Sequence, residues 1–144
     1  MDKSERRPGR PAEGRSSEAP SKEERPWGNY TVLHVGKNFQ VKVIEVEAGK
    51  RISLQFHRRR DEHWTIVSGD ARVTKDETTF LVGENETVHI PHEVTHRIEN
   101  VGAAQLVFVE VQCGDYFGED DIVRLEDDFG RRGQPGETGG RGEN

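Results

Sequence analysis

Between Tyr30 and Val111 short runs of β-branched and aromatic residues alternate with turn-forming residues, and no run sustains a helical period. Phe39–Val46 is dense in Val and Ile and ends at Glu47–Gly49, a turn signal. Arg51–His57 and Glu62–Ser68 alternate with a period of two, the second stopping at Gly69 and Asp70. Ala71–Thr74 and Thr78–Val82 flank a polar turn at Lys75–Glu77, and Gly83–Asn85 ends the second run. Thr87–Ile90 is broken off by Pro91; His96–Asn100 and Gln105–Val111 complete the series. Short strands at this regular spacing predict an all-β antiparallel barrel or sandwich. Gly118–Gly130 opens on acidic residues that suit a helix N-terminus, which predicts one short helical turn there.

Composition sharpens the domain limits. Only 31% of the 144 residues are hydrophobic and 33% are charged, but the deficit lies at the ends. Residues 1–25 are almost devoid of apolar side chains and residues 131–144 lack large ones, so both read as disordered tails around a folded unit at 26–130. The net charge is −6, and Pro26–Phe129 alone holds 11 Lys and Arg against 19 Asp and Glu. An acidic core argues against nucleic acid as partner. No apolar run is long enough for a membrane span or a signal-peptide core. One cysteine, Cys113, forms no intrachain disulfide, so the expected compartment is the cytoplasm.

Gln55 and His57 sit two apart on a predicted strand and therefore face the same side. Glu62 opens the next strand, and His96 follows the Pro91 turn. An amide oxygen, two imidazoles and a carboxylate form a mixed donor set suited to one divalent metal ion: zinc, or another such as Mn, Co, Ni or Fe. The spacing is specific. From Gly49, five residues lead to Gln55, one to His57, four to Glu62 and six to Gly69; Pro91 then precedes His96 and, four positions on, Asn100. This order resembles the two cupin motifs, with Gln in place of the usual first His. It implies a single RmlC-like jelly-roll β-barrel. Asn85 and Glu93 stand where the second motif usually carries glycines.

The resemblance extends further. Arg25–Tyr30, Gly49–His57, Arg60–Trp64, Val67–Gly69, His96–Asn100, Glu110–Gln112, Gly118–Arg124 and Glu126–Arg131 resemble the cupin domain of type II mannose-6-phosphate isomerases. In that family the domain is often fused behind a mannose-1-phosphate guanylyltransferase. These 144 residues have no room for that domain, so the expectation is a stand-alone cupin without nucleotide transfer.

The resemblance implies metal-aided interconversion of mannose 6-phosphate and fructose 6-phosphate through an enediol, with Gln55, His57, Glu62 and His96 as metal ligands. The reaction needs a base, for which Lys42 and His63 are the candidates. Lys42 would have to act neutral, and its alternative is a solvated edge charge. His63 follows Glu62 directly, so strand parity turns it away, and packing is its alternative. Ser53, Arg60, Arg124 and Arg131 are candidates for contacts to sugar or phosphate. Ser53 could instead bond the backbone, and Arg124 and Arg131 could instead pair with carboxylates of Glu119–Asp128. Arg58 and Arg59 read as solvated, although relatives commonly carry His there. Trp27 and Trp64 read as packing. A sugar-binding regulatory cupin, or an enzyme on another sugar or nucleotide-sugar, are the alternative functions. Pairing through barrel edges suggests a homodimer.

Overall fold

The computed structural model describes residues 20–132. Eleven strands follow one another: β1 Ser21–Arg25, β2 Gly28–Val35, β3 Phe39–Val46, β4 Leu54–His57, β5 Arg60–Ser68, β6 Ala71–Lys75, β7 Thr78–Val82, β8 Thr87–Ile90, β9 His96–Asn100, β10 Leu106–Gly114 and β11 Ile122–Glu126. They form two antiparallel sheets, a six-stranded one ordered β1-β2-β3-β10-β5-β8 and a five-stranded one ordered β11-β4-β9-β6-β7. Period-two alternation explains the division of faces. On β10, Leu106, Phe108, Glu110 and Gln112 are buried, whereas the residues between them are half-buried. On β5, Arg60, Glu62, Trp64 and Ile66 point inward, and His63, Thr65 and Val67 point to solvent. Val46, Ile66, Val73, Ile98, Leu106 and Phe108 form the centre of the apolar core between the sheets.

Close pairing of β2 with β3 depends on glycine. A Cβ at Gly28 would lie 2.0 Å from the Glu45 carbonyl oxygen, so any side chain there would push the strands apart. Two other tight positions are held without glycine. Asn85 has φ 73° and Glu93 φ 69°, so both adopt the left-handed backbone although neither is glycine.

Two expectations need correction. The chain is already a strand at Ser21–Arg25, which was read as part of the tail; it pairs by backbone with Gly28–Val32 and needs no apolar side chains. Arg131, expected to open the C-terminal tail, is likewise placed, buried and bonded to Asp127; residues 1–19 and 133–144 lie outside the described residues. The expected C-terminal helical segment is instead one 3-10 turn, Glu119–Asp121, followed by β11. Ile122 and Arg124 alternate inward there and join the five-stranded sheet through β4. No helix among the described residues is long and apolar enough to cross a membrane.

Candidate active site

Strand register assembles the site from both sheets. Across the five-stranded sheet, Arg124 pairs with Gln55, and Gln55 with His96. Across the six-stranded sheet, Lys42 pairs with Glu110 and Glu110 with Trp64; the next inward row is Gln40, Gln112 and Glu62. Where the two sheets face each other, the side-chain donors of His57, Glu62 and His96 come within 4.8 Å of one another, and all three residues are buried.

The details fit a metal. His96 Nδ1 lies 2.9 Å from the Val94 carbonyl oxygen and donates to it, which leaves Nε2 as a bare lone pair. That Nε2 is buried without a hydrogen-bond partner, 3.8 Å from Glu62 Oε1. His57 Nε2 is 3.4 Å from Glu62 Oε2. Burial pushes the His57 imidazole down to about 3, only partly opposed by Glu62, and burial lowers His96 as well. Both rings are thus neutral at pH 7, the form a metal requires. Burial works against ionising Glu62, but the surrounding imidazoles and the Arg60 guanidinium outweigh it and hold the carboxyl below its usual range. Gln55 shares this face; its amide nitrogen lies 3.3 Å from His57 Nε2, and its oxygen accepts from Ser53 Oγ. A half-turn of the amide would present the oxygen instead. Arg60 Nη2 reaches His57 Nε2 and Glu62 Oε2, each at 3.1 Å, so this guanidinium and an ion would compete for the same carboxylate oxygen.

Beside these donors opens a cleft of about 550 Å³, counting the part that meets solvent. Five cationic side chains line it: Arg25, Lys42, Arg60, Arg124 and Arg131. Lys42 Nζ sits 3.4 Å from Glu119 and 4.1 Å from the centre of the Tyr30 ring. Arg131 is tied to Asp127 through Nε and Nη2, at 2.7 and 3.2 Å, and stays buried. The structure therefore brings Lys42, Ser53, Gln55, His57, Arg60, Glu62, His96, Arg124 and Arg131 to one region.

His63 is elsewhere, which corrects its place among the candidate bases. Strand parity sends it to the outer face, exposed and stacked on His89 with ring centres 4.5 Å apart. The residue the sequence reading missed is Glu110. It is buried, lines the cleft, and accepts from Trp64 Nε1 at 3.0 Å and from Gln112 Nε2. Burial, reinforced by the Glu62 charge and opposed by Lys42 and Arg60, pushes its carboxyl up to about 8. Its signal was present: a lone carboxylate at an inward position of a strand whose first four residues are apolar. Trp64 also does more than pack, since its indole N–H donates to Glu62 Oε1 at 3.2 Å as well as to Glu110.

Residues 13–127 match the family model described as mannose-6-phosphate isomerase C-terminal. The chain belongs to this family. It is 52% identical over 111 residues to the alginate biosynthesis protein AlgA of Pseudomonas aeruginosa, covering 77% of this chain and 23% of that protein. It is 50% identical over 102 residues to the mannose-1-phosphate guanylyltransferase RfbM of Salmonella typhimurium, covering 71% and 21%. The chain thus spans under a quarter of the length of these curated relatives. Among solved structures, the capsular polysaccharide assembling protein CapF of Staphylococcus aureus superposes with TM-score 0.65 at 23% identity, over 74% of this chain and 34% of that one. The Schizosaccharomyces pombe Cnp3 cupin domain gives TM-score 0.59 at 20% identity, over 60% and 61%. Both likenesses support the cupin fold.

Proposed function

We propose that this cupin domain interconverts mannose 6-phosphate and fructose 6-phosphate with the aid of one divalent ion. The observation that carries the reading is a buried His-Glu-His donor set that borders, through Glu62 and Gln55, a cleft lined by the buried Glu110 carboxyl and five cations. His57, Glu62 and His96 would hold the ion, with Gln55 as the fourth donor. A bound divalent ion supplies Lewis-acid polarisation of the sugar carbonyl.

The chain's own residues handle the rest. Glu110 titrates close to working pH, so it can both take a proton from one sugar carbon and return it to the next. Trp64 and Gln112 fix its two oxygens, and Lys42, its register partner, places an ammonium where the developing oxyanion needs one. Arg25, Arg124 and Arg131 give the cleft a cationic wall for the phosphate. Ser53 Oγ bonds the Gln55 amide, and after the half-turn that presents the oxygen its hydroxyl would accept from the amide nitrogen instead.

The test is a coupled assay of mannose 6-phosphate conversion on chelator-stripped protein reloaded with single metals. The expected result is turnover that returns with metal and is absent in His57→Ala. One observation favours a second reading, a metal-free sugar-phosphate binder: Arg60 already satisfies both His57 and Glu62. Stripped protein that binds mannose 6-phosphate without converting it, with or without metal, would support that reading. Homodimer formation through the sheet edges is a further part of the proposal. Light scattering at micromolar concentration should give twice the chain mass, and a monomer would remove it.

A further inference from the structure

Three of the six histidines gather outside the barrel. His63 on β5 and His89 on β8 are direct cross-strand partners, with rings nearly parallel at 4°. Asp61 lies two residues before His63 and so on the same outer face. Its carboxylate meets two imidazoles through different oxygens: Oδ2 is 3.3 Å from His89 Nε2, and Oδ1 is 2.8 Å from His92 Nδ1. The His92 backbone N–H also donates to Oδ1, at 2.9 Å, which fixes the turn after Pro91 against the carboxylate. Cys113, the register partner of Asp61 on β10, is exposed and lines the same surface depression as Asp61 and His92.

We propose that Asp61, His89 and His92 form a second metal site, on the outer sheet face and separate from the barrel. Each oxygen of the Asp61 carboxylate already meets one imidazole nitrogen, and a metal drawn between the three side chains would replace the protons they share. The donor mixture selects a borderline ion such as zinc or nickel over calcium or magnesium, which prefer all-oxygen sets. His89 and His92 are exposed and Asp61 is half-buried, so rotation of the two imidazoles about the carboxylate would bring the three donors to coordination distance without disturbing the core. The cations nearby are engaged: Arg59 pairs with Asp115, and Arg58 lies over the Phe56 ring. The ion would tie β8, the four-residue edge strand, to β5 and to the turn that leads to His96. Inward-facing Glu62 takes no part, so the site does not depend on the proposed isomerase reading.

The test is zinc stoichiometry by equilibrium dialysis and elemental analysis of the full chain, in wild type, His57→Ala and the double variant His89→Gln, His92→Gln. Circular dichroism confirms that each is folded. The expected result is two ions in wild type and one in each variant, with a zinc-induced rise in the melting temperature of His57→Ala. If the barrel holds no ion, wild type binds one and the double variant none, which still supports the outer site. Equal stoichiometry in wild type and the double variant overturns the proposal, as does a second ion in wild type that calcium displaces at equal concentration.

Discussion

Replacing Glu110 by Gln separates the cost of the buried carboxyl from its use. In the folded chain the carboxyl titrates near 8, against 4.5 for an ordinary Glu, because burial and then Glu62 disfavour its charge. Between those two values the folded state binds a proton that the unfolded state has released. Stability therefore falls as pH rises through that window, by about 1.4 kcal/mol per pH unit, and levels off above it. At pH 7 the accumulated penalty is about 3 kcal/mol. Glutamine keeps an oxygen for the Trp64 N–H but meets the Gln112 amide with a mismatched group, a loss of about 1 kcal/mol. The variant should be more stable than wild type at pH 7 by about 2 kcal/mol, yet inactive.

The assay is urea unfolding of metal-stripped wild type and variant between pH 5.5 and 8. The difference between the two proteins is the quantity to read. His57 and His96 are held neutral by burial and pull the other way, losing stability as pH falls, but they do so in both proteins. Subtraction leaves the Glu110 contribution, a gap that widens with pH. A gap that is flat across this range would mean that Glu110 is ionised in the folded chain, and its proposed role in moving the proton would fall with it.

Other consequences are direct. Glu93→Gly removes a left-handed non-glycine residue from the turn whose N–H bonds the His57 carbonyl at 2.6 Å. It should raise stability by about 0.5–1 kcal/mol, read as a higher melting temperature, and a lower one would show that the Glu93 side chain contributes more than its backbone costs. Arg124→Met should cost about 2 kcal/mol of phosphate binding, roughly thirtyfold in KM with a smaller change in kcat. An unchanged KM would place the phosphate elsewhere. Because protons compete for His57 only near pH 3, zinc in the barrel should survive dialysis at pH 5. Release centred on the ordinary histidine value of 6.5 would show that burial does not shift this ring.

The central strands were legible in the sequence because each hides one face, and a period of two records that directly. Ser21–Arg25 leaves no such record: its middle three residues are exposed, and backbone pairing alone holds it. Ile122–Glu126 buries only two side chains, behind an acidic run that resembles a helix start. The ligand positions were readable from motif spacing. Parity also warned that His63, adjacent to Glu62, must face outward. Glu110 shows where such reading stops. Its inward position was visible, but its meaning depends on Lys42, Trp64 and Glu62, which register brings together from far along the chain.

That register also explains why the site occupies one end of the barrel. On β3 the inward residues run from polar to apolar, Gln40 and Lys42 before Ile44 and Val46; on β5 Arg60 and Glu62 precede Trp64 and Ile66. On β10, which lies between them and runs antiparallel to both, the order is reversed: Leu106 and Phe108 precede Glu110 and Gln112. Antiparallel pairing therefore aligns the three polar halves at one end and the three apolar halves at the other. The apolar end supplies the burial that holds the sheets together. The polar end concentrates groups that are costly to bury; Gln40, Glu62 and Glu110 are tolerated because a neighbour in the same or the next row bonds them, and Lys42 because Glu119 of the 3-10 turn does. A polar residue introduced at the apolar end, such as Ile66→Gln, would lack such a row and should unfold the barrel without creating a site. The reciprocal change, Gln112→Leu, would leave the folded apolar end intact but strand Gln40 and Glu110, so activity should be lost before stability.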